Sequence, residues 1–328
     1  MAPAMPDFGF GRGAMPRFYV RVAWALGLLV LPILVQPLWP LGQFSVPGAL
    51  VCLMEDMPPG KSVAMLWLVT AASLAICAGI AGVTGAVWVL EAGGLWSVFW
   101  ICRRRNLTAP ETLLLGFLFL AVSFLFFLAV ASPKGFLYTY GQLKASVAKQ
   151  MDIAYKQYIK MGLIKKDTPQ YRQWLNEWKQ IFLDYLPCFL SLGLAMISGV
   201  NTAVSRYVGR RFFSREVFGP QFSDWRFPDE LIWLAIASGA AAIWGKPPWA
   251  LLGKNCLVFL AGLYYIQGLA IMSFYLKRLK VPAFVRGLCY ALISLEWYGL
   301  LIVAITGVLD VWFDLRNFSL PSIKNRED

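Results

Sequence analysis

Residues 112–132 read TLLLGFLFLAVSFLFFLAVAS, twenty-one residues without a single charge. A helix needs about 20 apolar residues to cross the ~30 Å hydrocarbon core of a bilayer. This run meets that requirement, and reading it as a transmembrane helix decides the class of the fold. The rest of the chain agrees. Its 328 residues are 59% hydrophobic and 15% charged, with a mean hydropathy of +0.60. A soluble domain is closer to half apolar and a quarter charged. Folded in water, this chain would lack the polar residues to cover its surface. The expected architecture is all-α, a polytopic transmembrane bundle of about eight to ten membrane segments with an extramembrane amphipathic helical hairpin.

Further apolar runs flank the central one, at 18–38, 47–54, 63–80, 81–101, 182–206, 230–244, 256–276 and 285–309. The uncharged part of the first, 22–38, follows Arg12, Arg17 and Arg21 but has no small-x-small cleavage site after it, so it reads as a retained helix and not as a signal peptide. Pro40, Pro47, Pro58 and Pro59 interrupt the second element, which reads as a re-entrant or half-length segment. Irregular backbone at membrane depth survives only when buried in protein or lining a cavity. Ala78-xxx-Gly82, Ala81-xxx-Gly85 and Gly82-xxx-Ala86 carry small residues at the spacing that lets helix backbones approach closely, as does Ala23-xxx-Gly27. Packing within the chain is the first reading of these faces and a partner interface the second. The stretch 281–313 reads either as one long helix or as two, hinged near Glu296-Trp297-Tyr298.

Basic residues bias short loops toward the cytoplasm. With the N-terminus inside, Arg12, Arg17, Arg21, the cluster Arg103-Arg104-Arg105, Arg206, Arg210, Arg211, Arg215, Arg226, Lys277, Arg278, Lys280 and Arg286 fall inside. Lys61, nine basic residues of 133–187, Lys246 and Lys254 are then assigned to the other face. The expected location is the bacterial cytoplasmic (inner) membrane, multi-pass, with a cytoplasmic N-terminus.

The chain contains no histidine. That excludes histidine acid–base chemistry, histidine-ligated haem and the usual zinc sites. Six dispersed cysteines without a CxxC read as small buried hydrophobes. No metal site, cofactor or catalytic constellation is expected, and the chain is read as not an enzyme. The net charge of +12 is spread over loops, which argues against nucleic acid as a partner.

Residues 133–187 form the single long polar stretch. Asp167-Thr168-Pro169 is a helix start, with a capping side chain and then Pro at the first helical position. Tyr171, Trp174, Leu175, Trp178, Phe182 and Tyr185 follow at helical spacing. A weaker stripe, Leu143, Val147, Met151, Tyr155, Tyr158 and Ile159, marks the helix before it. The pair reads as a hairpin packed on itself and the bundle, as a lid, or as a helix lying at the lipid interface.

Polar groups inside apolar runs are costly and mark functional candidates. Here they are Glu91, Asn201 at the close of the 182–206 helix, Asn255 at the start of the 256–276 helix, Gln267, Glu296 and Asp310.

The last hundred residues carry a pattern: Phe222-Ser-Asp-Trp225-Arg-Phe-Pro228-Asp, Trp233, Asn255, Tyr265-Ile-Gln267-Gly268, Pro282 with Arg286, and Gly307-Val-Leu-Asp310-Val-Trp312-Phe-Asp314-Leu-Arg316. It resembles the YybS-like family of bacterial membrane proteins, domain-of-unknown-function family 2232. The resemblance is best over 222–316. It further implies a distant relation to the substrate-binding components of energy-coupling-factor transporters, helical bundles with a small-molecule pocket. On that implication Asn255, Tyr265, Gln267 and Asp310 line a pocket, to which Glu296 is added as an acid inside an apolar run. Trp225, Pro228, Gly268, Trp312, Asp314 and Arg316 are then structural motif positions. The chain differs in its greater length and in the 133–187 segment.

Four regions are therefore expected: N-terminal membrane helices (1–132), the extramembrane hairpin (133–187), C-terminal membrane helices with the motifs (188–316) and a polar tail (317–328). The expected role is small-molecule binding or transport. The alternative is a membrane scaffold or assembly subunit. The expected partners are the lipid bilayer and either a membrane protein or an ATPase module, since no GxxxxGK[ST] phosphate loop is present.

Overall fold

The computed structural model describes residues 18–54, 57–162, 168–214, 216–219 and 221–316. Arg12, Arg17, Asp167, Arg215 and the tail 317–328 lie outside them. Among the described residues the regular structure is entirely helical. Eleven α-helices run in order: α1 (Phe18–Leu34), α2 (Trp39–Leu53), α3 (Pro59–Arg104), α4 (Ala109–Val130), α5 (Phe136–Lys160), α6 (Pro169–Asp184), α7 (Leu186–Phe213), α8 (Leu231–Trp244), α9 (Trp249–Arg278), α10 (Ala283–Leu295) and α11 (Trp297–Phe313). Among them α3, α4, α7 and α9 are long and apolar enough to cross a membrane. The pair α10 and α11, bent by 107° at Glu296, makes a fifth candidate. Of the two readings of 281–313, the hinged one is correct.

Helix α3 is two helices in one. Its 46 residues would extend about 69 Å if straight, more than twice the bilayer core. At Gly82 the backbone turns to φ 58°, ψ −137°, a conformation open to glycine and strained for other residues. The limbs 59–81 and 83–104 then run back along each other. A Cβ on Gly85 would stand 2.1 Å from the Cys77 carbonyl oxygen, and one on Gly93 would stand 2.9 Å from Thr70 Cγ2. At the open end the Arg104 guanidinium donates to Ser62 Oγ at 2.9 Å and to the Met57 carbonyl at 2.5 Å. The separate helices expected at 63–80 and 81–101 are these limbs, and the small residue Gly85 serves packing within the chain. One expectation is corrected here: Lys61 lies at the same end as Arg103-Arg104-Arg105, because the hairpin returns the chain to its starting side.

The described residues form two compact units. The first contains residues 18–107, Leu118–Leu120 and Ile197–Gly219, hence α1 to α3 and most of α7. The second contains Thr108–Phe117, Ala121–Met196 and residues 221–316. In it, α8 and α9 form a hairpin whose backbones lie close at Gly253, where a Cβ would stand 2.7 Å from Ser238 O. Helices α9 and α11 cross at a pair of glycines. A Cβ on Gly268 would stand 2.0 Å from the Val303 carbonyl, and one on Gly307 would stand 2.0 Å from that of Tyr264.

In the polar segment, Thr168 Oγ1 caps α6 by accepting from Tyr171 N at 3.3 Å, and Pro169 follows at the first turn, as expected. The aromatic stripe does not act as one face. Leu175, Lys179 and Phe182 are half-buried, and Lys179 pairs with Asp152 of α5 at 2.9 Å. Tyr171, Trp174, Trp178 and Ile181 remain exposed.

Candidate functional site

The polar residues buried in the helices gather into two knots, one in each unit. In the second unit, α9 carries Gln267 and α11 carries Asp310, both with no solvent-accessible surface. Gln267 Nε2 donates to Asp310 Oδ2 at 3.1 Å, and Gln267 Oε1 accepts from the Phe227 backbone N–H at 3.1 Å. Asp310 Oδ1 accepts the Leu315 N–H at 3.0 Å. Arg316 stands 3.5 Å from Asp310 Oδ2 and donates to the Trp225 carbonyl at 2.5 Å.

The segment 221–230 is held to both helices by the same group of contacts. Lys277 donates to Gln221 Oε1 (2.7 Å) and Ser223 Oγ (3.0 Å), and the Tyr275 hydroxyl donates to the Leu315 carbonyl. Arg226 pairs with Asp229 at 3.3 Å and stands 3.9 Å from Asp314. Asp314 ends α11 in the left-handed region (φ 40°), which Asp tolerates better than most residues. Burial lowers the Arg316 guanidinium from its ordinary range, and Asp310 opposes that shift. An aspartate buried this deeply is tolerable because it is paired and hydrogen-bonded.

The remaining candidates lie elsewhere. Asn255 is inside α9, not at its start, so it does not cap it. Its Oδ1 accepts from Cys188 N at 3.0 Å and its Nδ2 donates to the Asp184 carbonyl at 3.0 Å. It thus staples the junction of α6 and α7 to α9. The Tyr265 hydroxyl lies 2.5 Å from Ser294 Oγ on α10. Glu296 is exposed at the break between α10 and α11, about 21 Å along the helix axis from Asp310. Trp225 is buried, with its ring edge-on to Phe222, whereas Trp312 is exposed. The structure therefore joins Gln267 and Asp310, with Trp225 and Arg316, and separates them from Asn255, Tyr265 and Glu296.

The first unit holds the knot that the sequence left unpaired. Helix α2 is continuous from Trp39 to Leu53, so Pro47 does not break it; at 15 residues it is the half-length form of the two expected. Pro40 sits in the first turn, where no N–H partner is needed. Pro47 is interior and leaves the Gln43 carbonyl without its usual donor. Asn201 of α7, mid-helix and fully buried, supplies it: Nδ2 donates to Gln43 O at 2.7 Å, and Oδ1 accepts Gly48 N at 2.9 Å. Ser205 Oγ donates to Gly48 O at 2.8 Å, and Cys52 Sγ contacts Ser205 O at 3.3 Å. The helices approach closely because Gly48 has no side chain; a Cβ there would lie 2.2 Å from the Asn201 carbonyl. The signal was available: a proline inside an apolar helix frees a carbonyl four residues back, and a buried asparagine is a suitable donor.

Chemically, both knots join helices. Among the described residues no group of three Cys, Asp or Glu side chains is placed to hold a metal ion. Two recesses open away from the second knot. One lies on the polar face of α6, along Arg172, Asn176, Glu177 and Gln180. The other, about 280 Å³, lies in the first unit between Met54, Met57, Trp100, Arg103, Arg104 and Asn106.

Residues 25–311 match the family described as "Predicted membrane protein (DUF2232)". The match extends far upstream of 222–316, the stretch over which the resemblance is best. No curated protein and no solved structure gives a significant match.

Proposed function

We propose that this chain, which belongs to the DUF2232 family of predicted membrane proteins, is a non-catalytic scaffold or assembly subunit embedded in the bacterial cytoplasmic membrane. One observation carries the reading. The residues expected to meet a ligand, Gln267 and Asp310, are fully buried and engage each other, Arg316 and the backbone. A binding site needs convergent polar groups open to the ligand. Here those groups join helices instead. Apolar association does not drive helices together in lipid, so buried hydrogen bonds and close glycine contacts set the architecture. What remains for function is the broad exposed apolar surface of the helices, suited to lipid and to other membrane proteins.

Crosslinking in native membranes, followed by native mass spectrometry, tests the proposal. The expected result is one reproducible protein partner at fixed stoichiometry. A chain recovered alone, carrying a stoichiometric small molecule, would overturn it.

Small-molecule binding or transport is the second reading, favoured by one feature. The recess beside Trp100, Arg103 and Arg104 combines aromatic and cationic side chains at the open end of the α3 hairpin. At about 280 Å³ it is just below the range of roughly 300–1,000 Å³ usual for ligand pockets. Active transport through it would need a partner ATPase or an ion gradient.

A further inference from the structure

Helix α6 has three faces. Leu175, Lys179 and Phe182 are half-buried, with Lys179 paired to Asp152 of α5; Arg172, Gln173, Asn176, Glu177 and Gln180 form a polar side; and Tyr171, Trp174, Trp178 and Ile181, at i, i+3, i+7 and i+10, are exposed. Each of those four is between 41% and 52% accessible, and the rings of Trp174 and Trp178 lie 5.8 Å apart. An exposed row of indole and phenol rings is costly in water. In membrane proteins such rings gather where hydrocarbon meets headgroup.

The hairpin lies between two helices apolar and long enough to cross a membrane. Helix α4, a membrane-crossing candidate, ends at Val130, and α5 begins at Phe136. Helix α6 ends at Asp184, and α7, a second crossing candidate, begins at Leu186. The hairpin is thus rooted at both ends in apolar helices by connections of a few residues. Both roots carry aromatic rings. Phe136 stacks on Tyr140 at 6.0 Å with Lys134 over Tyr138, and Phe182 stacks on Phe189 at 4.8 Å across the α6–α7 junction. Residues 133–187 contain nine basic and four acidic side chains, a balance that attracts anionic headgroups.

We infer that α6 docks on the membrane surface. Trp174 and Trp178 enter the boundary between headgroups and acyl chains, and the basic residues of the hairpin meet anionic lipid. The inference is independent of the scaffold reading, because its partner is lipid and not protein.

Photolabelling of the full chain in phosphatidylethanolamine–phosphatidylglycerol vesicles tests it, using a trace phospholipid with a diazirine on its acyl chain. Peptide mass spectrometry should find lipid adducts within 171–181 as well as on α4 and α7. Those on α6 should fall several-fold in the variant Trp174→Glu/Trp178→Glu, and also when phosphatidylglycerol is replaced by phosphatidylcholine. Both tryptophans are exposed, so the variant should keep wild-type thermal stability; if it misfolds, the wild-type adduct map and its lipid dependence still decide. Labelled α4 and α7 with an unlabelled α6 would overturn the inference. So would crosslinks from α6 to a second copy or another protein in place of lipid, or α6 labelling indifferent to anionic lipid.

Discussion

Asn201 on α7 completes the hydrogen-bond ladder that Pro47 interrupts in α2, donating to the Gln43 carbonyl and accepting the Gly48 N–H. Replacing Asn201 with Leu leaves the Gln43 carbonyl without its donor and removes the contact to the Gly48 N–H, and a buried group without its partner costs about 1–3 kcal/mol. Pro47→Ala restores an N–H to the helix and makes Asn201 less necessary. In a double-mutant cycle read by thermal unfolding in detergent, Asn201→Leu should cost clearly less in the Pro47→Ala background. Equal losses in both backgrounds would remove the link.

Asp310 and Arg316 should behave as a coupled pair. Arg316→Met strips the buried carboxylate of its cation, and breaking a buried pair from one side costs about 3–5 kcal/mol. Asp310→Asn should destabilise similarly. The double variant should lose less than the sum, because neither charge is left alone. Chemical unfolding of the four proteins measures this directly.

The glycines at the crossing of α9 and α11 should be intolerant. Gly268→Ala and Gly307→Ala each push a methyl to 2.0 Å from a backbone carbonyl, which only separation of the helices relieves. A loss of about 1–3 kcal/mol follows from such overpacking. Gly287→Ala on α10 meets nothing within 4 Å. It should be neutral or stabilise by up to about 1 kcal/mol, since Ala is the better helix former. Melting temperatures of the three variants separate the cases.

Gly82 should be needed for its backbone and not for its size. Nothing lies within 4 Å of a Cβ built there, yet its φ of 58° with ψ of −137° strains any other residue. Gly82→Val should cost about 1–3 kcal/mol. Gly79→Ala, also open but with helical backbone, should cost nothing. If the two proteins melt together, the turn at Gly82 is not under backbone constraint.

How much of this was legible depended on whether the governing interaction was local. The helical class and the α3 limbs followed from apolar run lengths, and the start of α6 from Thr168-Pro169. In α2, Pro47 makes the freed Gln43 carbonyl legible, but not that Asn201, more than 150 positions away, answers it and lets the helix run on. Asn255 was misplaced for a related reason: the apolar run begins after it, while the helix begins six residues earlier at Trp249. In the site, Gln267 and Asp310 were singled out by their cost in an apolar run. Cost alone does not distinguish a ligand contact from a staple; the distances did. Tyr265 lies two residues from Gln267 on the same helix, yet its hydroxyl meets Ser294 of α10, and Glu296 sits exposed at the break between α10 and α11.

The central claim is that the buried polar residues hold helices together and do not receive a ligand. Thermal unfolding and native mass spectrometry of wild type and Gln267→Leu, in the same nanodisc preparation, test it most directly. The account predicts a markedly lower melting temperature for the variant, with no small molecule differing between the two mass spectra. An unchanged melting temperature, together with loss of a stoichiometric small molecule that the wild type carries, would contradict it.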